Sequence, residues 1–309
     1  MVDTKPKSCL DFAPISLETK PTYDGFRLNE KERGCESDFV NVYLWGEQSV
    51  ALYDGHLIVL ARFGNRFAYH YPFGEGNPEK TLRAIQMDAE YRRIPLRLIG
   101  LTKNAVETVE SLFPSAFSFE ENRDSFDYVY DINDLADLVG KRYNGKRNHL
   151  NRFRENYPSA KLIPLTEEYI PAVKEMAEQW YREREENGAE TDFSSEKSAL
   201  DRALSEFRPL SLDGMILTNQ TELLAFTVGS RMTSDTFDIH FEKARSDVQG
   251  AYAAINQGFA SYIRSRYPDV RFLDREEDMG IEGLRRAKES YRPHHFIKKW
   301  TALYKGETK

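Results

Sequence analysis

From Asp238 to Ile263 the chain reads Asp-Ile-His-Phe-Glu-Lys-Ala-Arg-Ser-Asp-Val-Gln-Gly-Ala-Tyr and continues as an amphipathic stretch. Asp238, His240 and Glu242 alternate with Phe237, Ile239 and Phe241. That period of two specifies a strand and sends the three polar groups to one face. A short turn follows and opens a helix at Gly250 and Ala251. Such a junction belongs to folds in which helices cover a sheet, and it leaves the N–H groups of the helix's first turn open to an anion. Arg245 and Gln249 precede the turn, so Arg245, Val248, Gln249, Gly250, Ala251 and Tyr252 are the expected anion-binding residues. The competing reading is a plain turn in which Gly250, Ala253, Ala254 and Gly258 serve only close packing.

The surrounding elements come in two series. Ser49 to Ala61 flanks Asp54-Gly55, the signal for a tight hairpin. Phe67–Tyr71 adds a third strand, Pro78 opens a helix, Pro95–Ile99 is a strand, Ala105, Val109 and Leu112 mark a second helix, and Phe126–Tyr130 closes as a strand. The second series has a strand over Leu162–Leu165, helices capped by Thr166 and by Ser194 or Ser195, and a meander over 215–217, 223–228 and 236–241. After it come a helix over 250–264, a strand over 270–274, a helix over 281–291 and a last strand near 296–300. A duplicated α+β unit with its join near residues 132–158 accounts for this order, with one continuous large sheet as the alternative.

With 309 residues, 40% of them hydrophobic and 13% aromatic, the chain can fill two cores. Its formal charge of -7 excludes nonspecific coating of nucleic acid, which needs a broad cationic excess. Cys9 and Cys35 have neither disulfide-scaffold density nor metal-ligand spacing, so no metal is expected. The amino terminus lacks an apolar leader and no segment is long and apolar enough to span a bilayer, which points to a cytoplasmic protein. Against the acidic background, residues 141–154 hold Lys141, Arg142, Lys146, Arg147, Arg152 and Arg154 with no acid, interleaved with Tyr143, His149 and Phe153. The run either draws a phosphate-rich partner or is a solvated face between domains.

The element order, with its anion-binding turn, is similar to the GNAT acyltransferase fold in tandem: two α+β domains, each a mixed twisted sheet flanked by helices. Three words carry a closer resemblance: Lys146-Arg147-Asn148-His149-Leu150-Asn151-Arg152-Phe153, Ile239-His240-Phe241-Glu242-Lys243-Ala244, and Glu276-Glu277-Asp278-Met279-Gly280-Ile281-Glu282-Gly283-Leu284-Arg285. They resemble the soluble relatives of the phosphatidylglycerol lysyltransferase C-terminal domain family and, more distantly, the Fem-type aminoacyl-tRNA-dependent transferases. The resemblance implies transfer of an activated acyl group from acyl-CoA or aminoacyl-tRNA to an amine or hydroxyl, or else a silent module that binds a nucleotide cofactor or tRNA. The expected domains are an N-terminal one over 1–140, non-catalytic because Phe73-Gly74-Glu75-Gly76-Asn77-Pro78 puts an acid where a phosphate would sit, a basic connecting helix over 141–158 able to contact tRNA, and a donor-binding domain over 159–309.

In that setting Glu242 or His240 is the expected base and Tyr291 a candidate proton donor to the leaving group. Lys146, Arg147, Asn148, Asp238, Glu276, Asp278, Arg285 and Lys288 are expected to contact substrate. Solvent-facing polar groups and core packing of Tyr291 are the competing readings. On the last helix, Arg285, Lys288 and Arg292 are expected to share an outward face, with Leu284, Ala287 and Tyr291 buried.

Overall fold

A computed structural model describes residues 8–27, 32–188, 191–220 and 222–306. The first residues, from which the lack of a leader was read, lie outside the described residues. The chain divides into two compact units, Met1–Phe126 with Ile297–Lys309, and Asp127–Phe296.

The first unit contains, in order, β1 (Ala13–Pro14), α1 (Lys20–Arg27), α2 (Phe39–Leu44), β2 (Glu47–Tyr53), β3 (His56–Phe63), β4 (Arg66–His70), β5 (Phe73–Gly74), α3 (Pro78–Arg92), β6 (Arg97–Leu101), α4 (Lys103–Leu112) and β7 (Phe117–Glu121). Asp54 and Gly55 turn the β2–β3 hairpin with φ of 50° and 76°, the paired positive values that a two-residue hairpin requires. Asn77 caps α3 by accepting the Lys80 N–H, with Pro78 pre-set for the first turn. Ile58, Leu60, Tyr69, Ile85, Leu98 and Val109 build the core.

The second unit continues with β8 (Asp127–Asp131), α5 (Ile132–Asp137), α6 (Asn144–Asn156), β9 (Ala160–Pro164), α7 (Ile170–Glu186), α8 (Ser194–Ser205), β10 (Asp213–Asn219), β11 (Glu222–Arg231), β12 (Thr236–Ala244), α9 (Ala251–Arg266), β13 (Phe272–Asp274), α10 (Glu282–Glu289) and β14 (His295–Ile297). Its sheet order is β14-β8-β13-β12-β11-β10-β9. Helix α9 packs Ala254, Ile255, Phe259 and Ile263 against Phe237, Ile239 and Leu273 in one apolar cluster.

The strand partners differ from the sequence expectation in one respect. The strand over 127–131 does not close the first sheet but pairs antiparallel with β13, Tyr130 opposite Leu273. In return β15 (Trp300–Tyr304), at the far end of the chain, inserts between β6 and β7 of the first sheet. The chain therefore passes between the units at Phe126/Asp127 and again at Phe296/Ile297, not at a single join near 132–158 or at residue 140. Apolar alternation marks a strand but does not say which neighbour it will bond.

Helix caps also differ from expectation. The N–H of Ser194 is taken by Asp192, and Ser194 itself starts α8 rather than capping it. Thr166 precedes a short 3-10 turn and makes no side-chain cap.

Candidate active-site wedge in the second unit

Strands β12 and β13 run parallel for three residues only, with Asp238 opposite Asp274 as the last pair. Beyond that point β12 continues through 239–244 without β13 beside it, so the two strands open a wedge. The wedge is the place in this sheet where backbone and side-chain polar groups can meet a ligand without disrupting a ladder.

A β-bulge decides what enters it. Val228 pairs with Phe241 but Gly229 with Ile239, so His240 is an extra residue in β12. An extra residue reverses the alternation of the strand from that point on. Phe237 therefore meets Phe259 of α9, with rings 5.8 Å apart, and Glu242, despite its opposite parity, also faces α9 through a 3.2 Å bond from Asn256 Nδ2. Asp238 and His240 lie on the other face. The expectation that Asp238, His240 and Glu242 share one face is thus corrected: the bulge separates Glu242 from the other two.

On the α9 face, Glu242 Oε1 accepts from Arg275 Nη2 at 2.8 Å, a pair whose side chains are 7% and 14% exposed. The Arg275 guanidinium lies 5.1 Å from the Tyr291 ring centroid, and Lys146 Nζ, carried in by α6, sits 3.6 Å from the same centroid. Thr227 lies opposite Glu242 on β11. Thr227 Oγ1, Asn256 Oδ1 and Arg275 Nη1 are buried and make no hydrogen bond within the protein, so each has bonding capacity left for a small polar partner. Burial, and next the Arg275 charge, push Lys146 down to about 8, with Glu242 opposing them. Burial raises the Tyr291 phenol far above its usual value, so it stays protonated and can donate.

The α9 turn offers less to an anion than its sequence promised. Arg245 is held by Asp247 at 2.7 and 3.0 Å and by Glu222 at 3.5 Å, and Ser246 donates to Glu183. Val248 is buried, with its carbonyl on the Ala251 N–H, and Gln249 is exposed. Among the described residues the Tyr252 and Ala253 amides have no acceptor outside the helix. The Tyr252 hydroxyl accepts from the Trp180 indole at 3.1 Å. Gly250 adopts φ of 87°, and a Cβ there would lie 2.3 Å from the His149 carbonyl and 2.9 Å from Phe153 Cβ. This glycine lets α6 approach, a helix–helix contact and not the helix–sheet packing expected of it. Gly250→Ala is expected to destabilise the unit by about 2–4 kcal/mol through left-handed strain and overpacking, measurable by urea unfolding.

The remaining expected residues separate into two groups. His240 is gripped by Ser230 at 2.8 Å and Glu276 at 3.1 Å, with Asp238 3.5 Å away. Asp278 is a staple: burial opposes its ionisation, but Arg285, the Tyr128 hydroxyl and the Gly280 N–H outweigh it and hold the carboxyl well below the usual range. Lys288 does not point outward with Arg285. It is buried and donates to the carbonyls of Arg275 and Glu277, while Ala287, expected inside, is exposed. Arg147 ties down the carbonyls of Leu138 and Gly140, and Asn148 is exposed.

Arg275, Asn256 and Thr227 were not singled out from sequence. Asn256 left a signal, a lone amide in the apolar stripe Ala253, Ile255, Phe259, Ala260; Arg275, directly after Asp274 at a strand end, left none.

Two units, each a mixed sheet with helices, give this chain a tandem GNAT-like fold. Residues 28–303 match the family described as phosphatidylglycerol lysyltransferase, C-terminal, and the chain belongs to that family. It is similar to a conserved protein of unknown function from Bacteroides thetaiotaomicron, with 35% identity, a TM-score of 0.89, and coverage of 96% of this chain and 100% of the other. A tandem GNAT protein from the clavulanic acid biosynthesis pathway shares the fold at 11% identity and a TM-score of 0.50, over 95% and 98% of the two chains. An uncharacterised protein of Mycoplasmoides gallisepticum is 26% identical over 205 residues, 65% of this chain and 62% of that relative's length. Among the described residues no helix is long and apolar enough to cross a membrane.

Proposed function

We propose that this protein is an aminoacyltransferase that moves the aminoacyl group of a charged tRNA to an amine or hydroxyl acceptor, with the chemistry in the wedge of the second unit. The observation that carries the reading is Lys146: a lysine brought down to about 8 by burial and Arg275, stacked 3.6 Å over Tyr291 beside a buried Glu242–Arg275 pair.

In this reading the acceptor nitrogen or oxygen attacks the ester carbonyl carbon. The new bond forms as the carbonyl π pair moves onto oxygen, and collapse of this tetrahedral adduct breaks the ester C–O bond to the ribose. Neutral Lys146 takes the proton released by the acceptor and returns it to the departing ribose oxygen. The unpartnered Arg275 Nη1 is the donor for the developing oxyanion, and the protonated Tyr291 hydroxyl hydrogen-bonds the leaving oxygen. Glu242, itself accepting from Asn256 Nδ2, holds Arg275 in place.

A tRNA-borne donor fits better than an acyl-CoA because Arg245, the cation that precedes the α9 turn in sequence, is already paired with Asp247. Exposed Arg152 and Arg154, on the same helix that delivers Lys146, have no ion pair among the described residues. Their replacement by glutamate is expected to weaken tRNA binding about tenfold or more and to flatten its salt dependence, since each lost phosphate contact removes about one unit of slope.

The pH–rate profile of aminoacyl-ester consumption tests the mechanism. The rate should rise with pH and level off above about 8, because only the deprotonated lysine acts as base. A profile flat from pH 6 to 9, or one unchanged in Lys146→Arg, contradicts it.

A further inference from the structure

The face of β12 turned away from Glu242 carries a second cluster that the transfer chemistry does not use. His240 Nδ1 lies 3.1 Å from Glu276 Oε1 and 3.5 Å from Asp238 Oδ2. The three ligand-type atoms all fall within 4.8 Å of one another. On the far side of the ring, Nε2 is 2.8 Å from Ser230 Oγ.

We propose that Asp238, His240 and Glu276 form a binding site for a first-row divalent cation of the zinc or manganese type. Ligands at ~2.0–2.2 Å from such an ion stand ~3.0–3.5 Å apart for right-angle to tetrahedral geometry, and the distances from Nδ1 match that spacing. An ion on the Nδ1 lone pair would lie within reach of both carboxylates at once. The second ring nitrogen then carries the proton and donates to Ser230, the outer-shell bond that fixes the tautomer of a ligating histidine. One imidazole with two carboxylates suits borderline divalent ions better than magnesium, which prefers all-oxygen sites.

The ligands are held before any ion arrives. The bulge in β12 puts Asp238 and His240 on one face. Glu276 has φ of 55°, its N–H is bonded to Asp274 Oδ1 at 2.8 Å, and Lys288 pins the carbonyls on both sides of it. The side chains of Asp238 and His240 are 0% exposed and that of Glu276 is 19% exposed, so an ion enters on the Glu276 side. The same burial argues against reading Ser230, His240 and Glu276 as a hydrolytic triad, because Ser230 is 3% exposed and has no room for an acyl carbonyl. Because the residue before Glu276 is Arg275, an ion here would also tie β12 to the segment that carries the guanidinium into the wedge.

The test is calorimetric titration of the chelator-treated full chain with Zn2+, Mn2+ and Mg2+, together with the shift in Tm. His294 and His295, exposed with Nδ1 atoms 2.9 Å apart, are a competing zinc site, so the titration is run with His294→Ala and His295→Ala in place. The expected result is one saturable site per chain for Zn2+ or Mn2+ with a raised Tm and none for Mg2+. Binding should weaken at least about tenfold in Glu276→Gln and in His240→Ala, and about tenfold or more in Ser230→Ala. Should His240→Ala fail to fold, the isosteric Glu276→Gln decides. Absence of saturable binding, or affinity unchanged in Glu276→Gln, overturns the proposal, as does covalent labelling of Ser230 by a fluorophosphonate.

Discussion

Replacing Arg275 by methionine is expected to destabilise the protein by about 3–5 kcal/mol and to abolish aminoacyl transfer. The size follows from what would be left behind. Glu242 is 7% exposed in its side chain, and without the guanidinium it keeps only the 3.2 Å bond from Asn256, an uncompensated carboxylate in a buried site. A control separates this cost from the worth of the pair. Glu242→Gln combined with Arg275→Met removes both charges, so the double variant should recover most of the stability lost in Arg275→Met while remaining inactive. Urea unfolding of the four proteins of the cycle gives the coupling directly. Equal destabilisation of the single and double variants would show that the ion pair does not organise the wedge.

Lys146→Met is expected to lower turnover by about 10²–10⁴-fold, the range for loss of a general base, with binding of uncharged tRNA little changed. The same substitution has a signature in stability. The lysine's ordinary value of 10.5 falls to about 8 in the folded protein, so between those values the unfolded chain binds more protons than the folded one. Stability therefore rises as pH goes from about 8 towards 10.5, and at pH 7 the buried ammonium is a cost. Lys146→Met should remove that upward slope and melt no lower than the wild type at pH 7. A melting temperature that still climbs across this window in the variant would place the titrating group elsewhere.

Much of the architecture was legible because its signals are local. Asp54-Gly55, Pro78 at a helix start and the amphipathic stretch after Gly250 each act within a few residues. The pairing of the strand over 127–131 with β13, and of the final strand with β6 and β7, was not legible, because partner choice is settled by contacts far apart in sequence. The site divided in the same way. Glu242, Lys146 and Tyr291 stood out as chemistry-bearing residues and come together in the wedge. Their grouping with His240 failed on a single inserted residue, since strict alternation cannot register a bulge. Arg275 escaped notice because its importance lies in its neighbours, Glu242, Tyr130 and Tyr291, which come from three separate segments.

If the wedge receives the aminoacyl end of a charged tRNA, the protein must distinguish charged from uncharged tRNA there. Equilibrium binding of bulk aminoacylated tRNA, the same tRNA after deacylation, and acetyl-CoA to the wild type and to Lys146→Met tests it most directly. The expected result is salt-sensitive binding of both tRNA pools, tighter for the charged pool in the wild type, with that difference lost in the variant and no binding of acetyl-CoA. Saturable binding of acetyl-CoA with no preference for charged tRNA would contradict it.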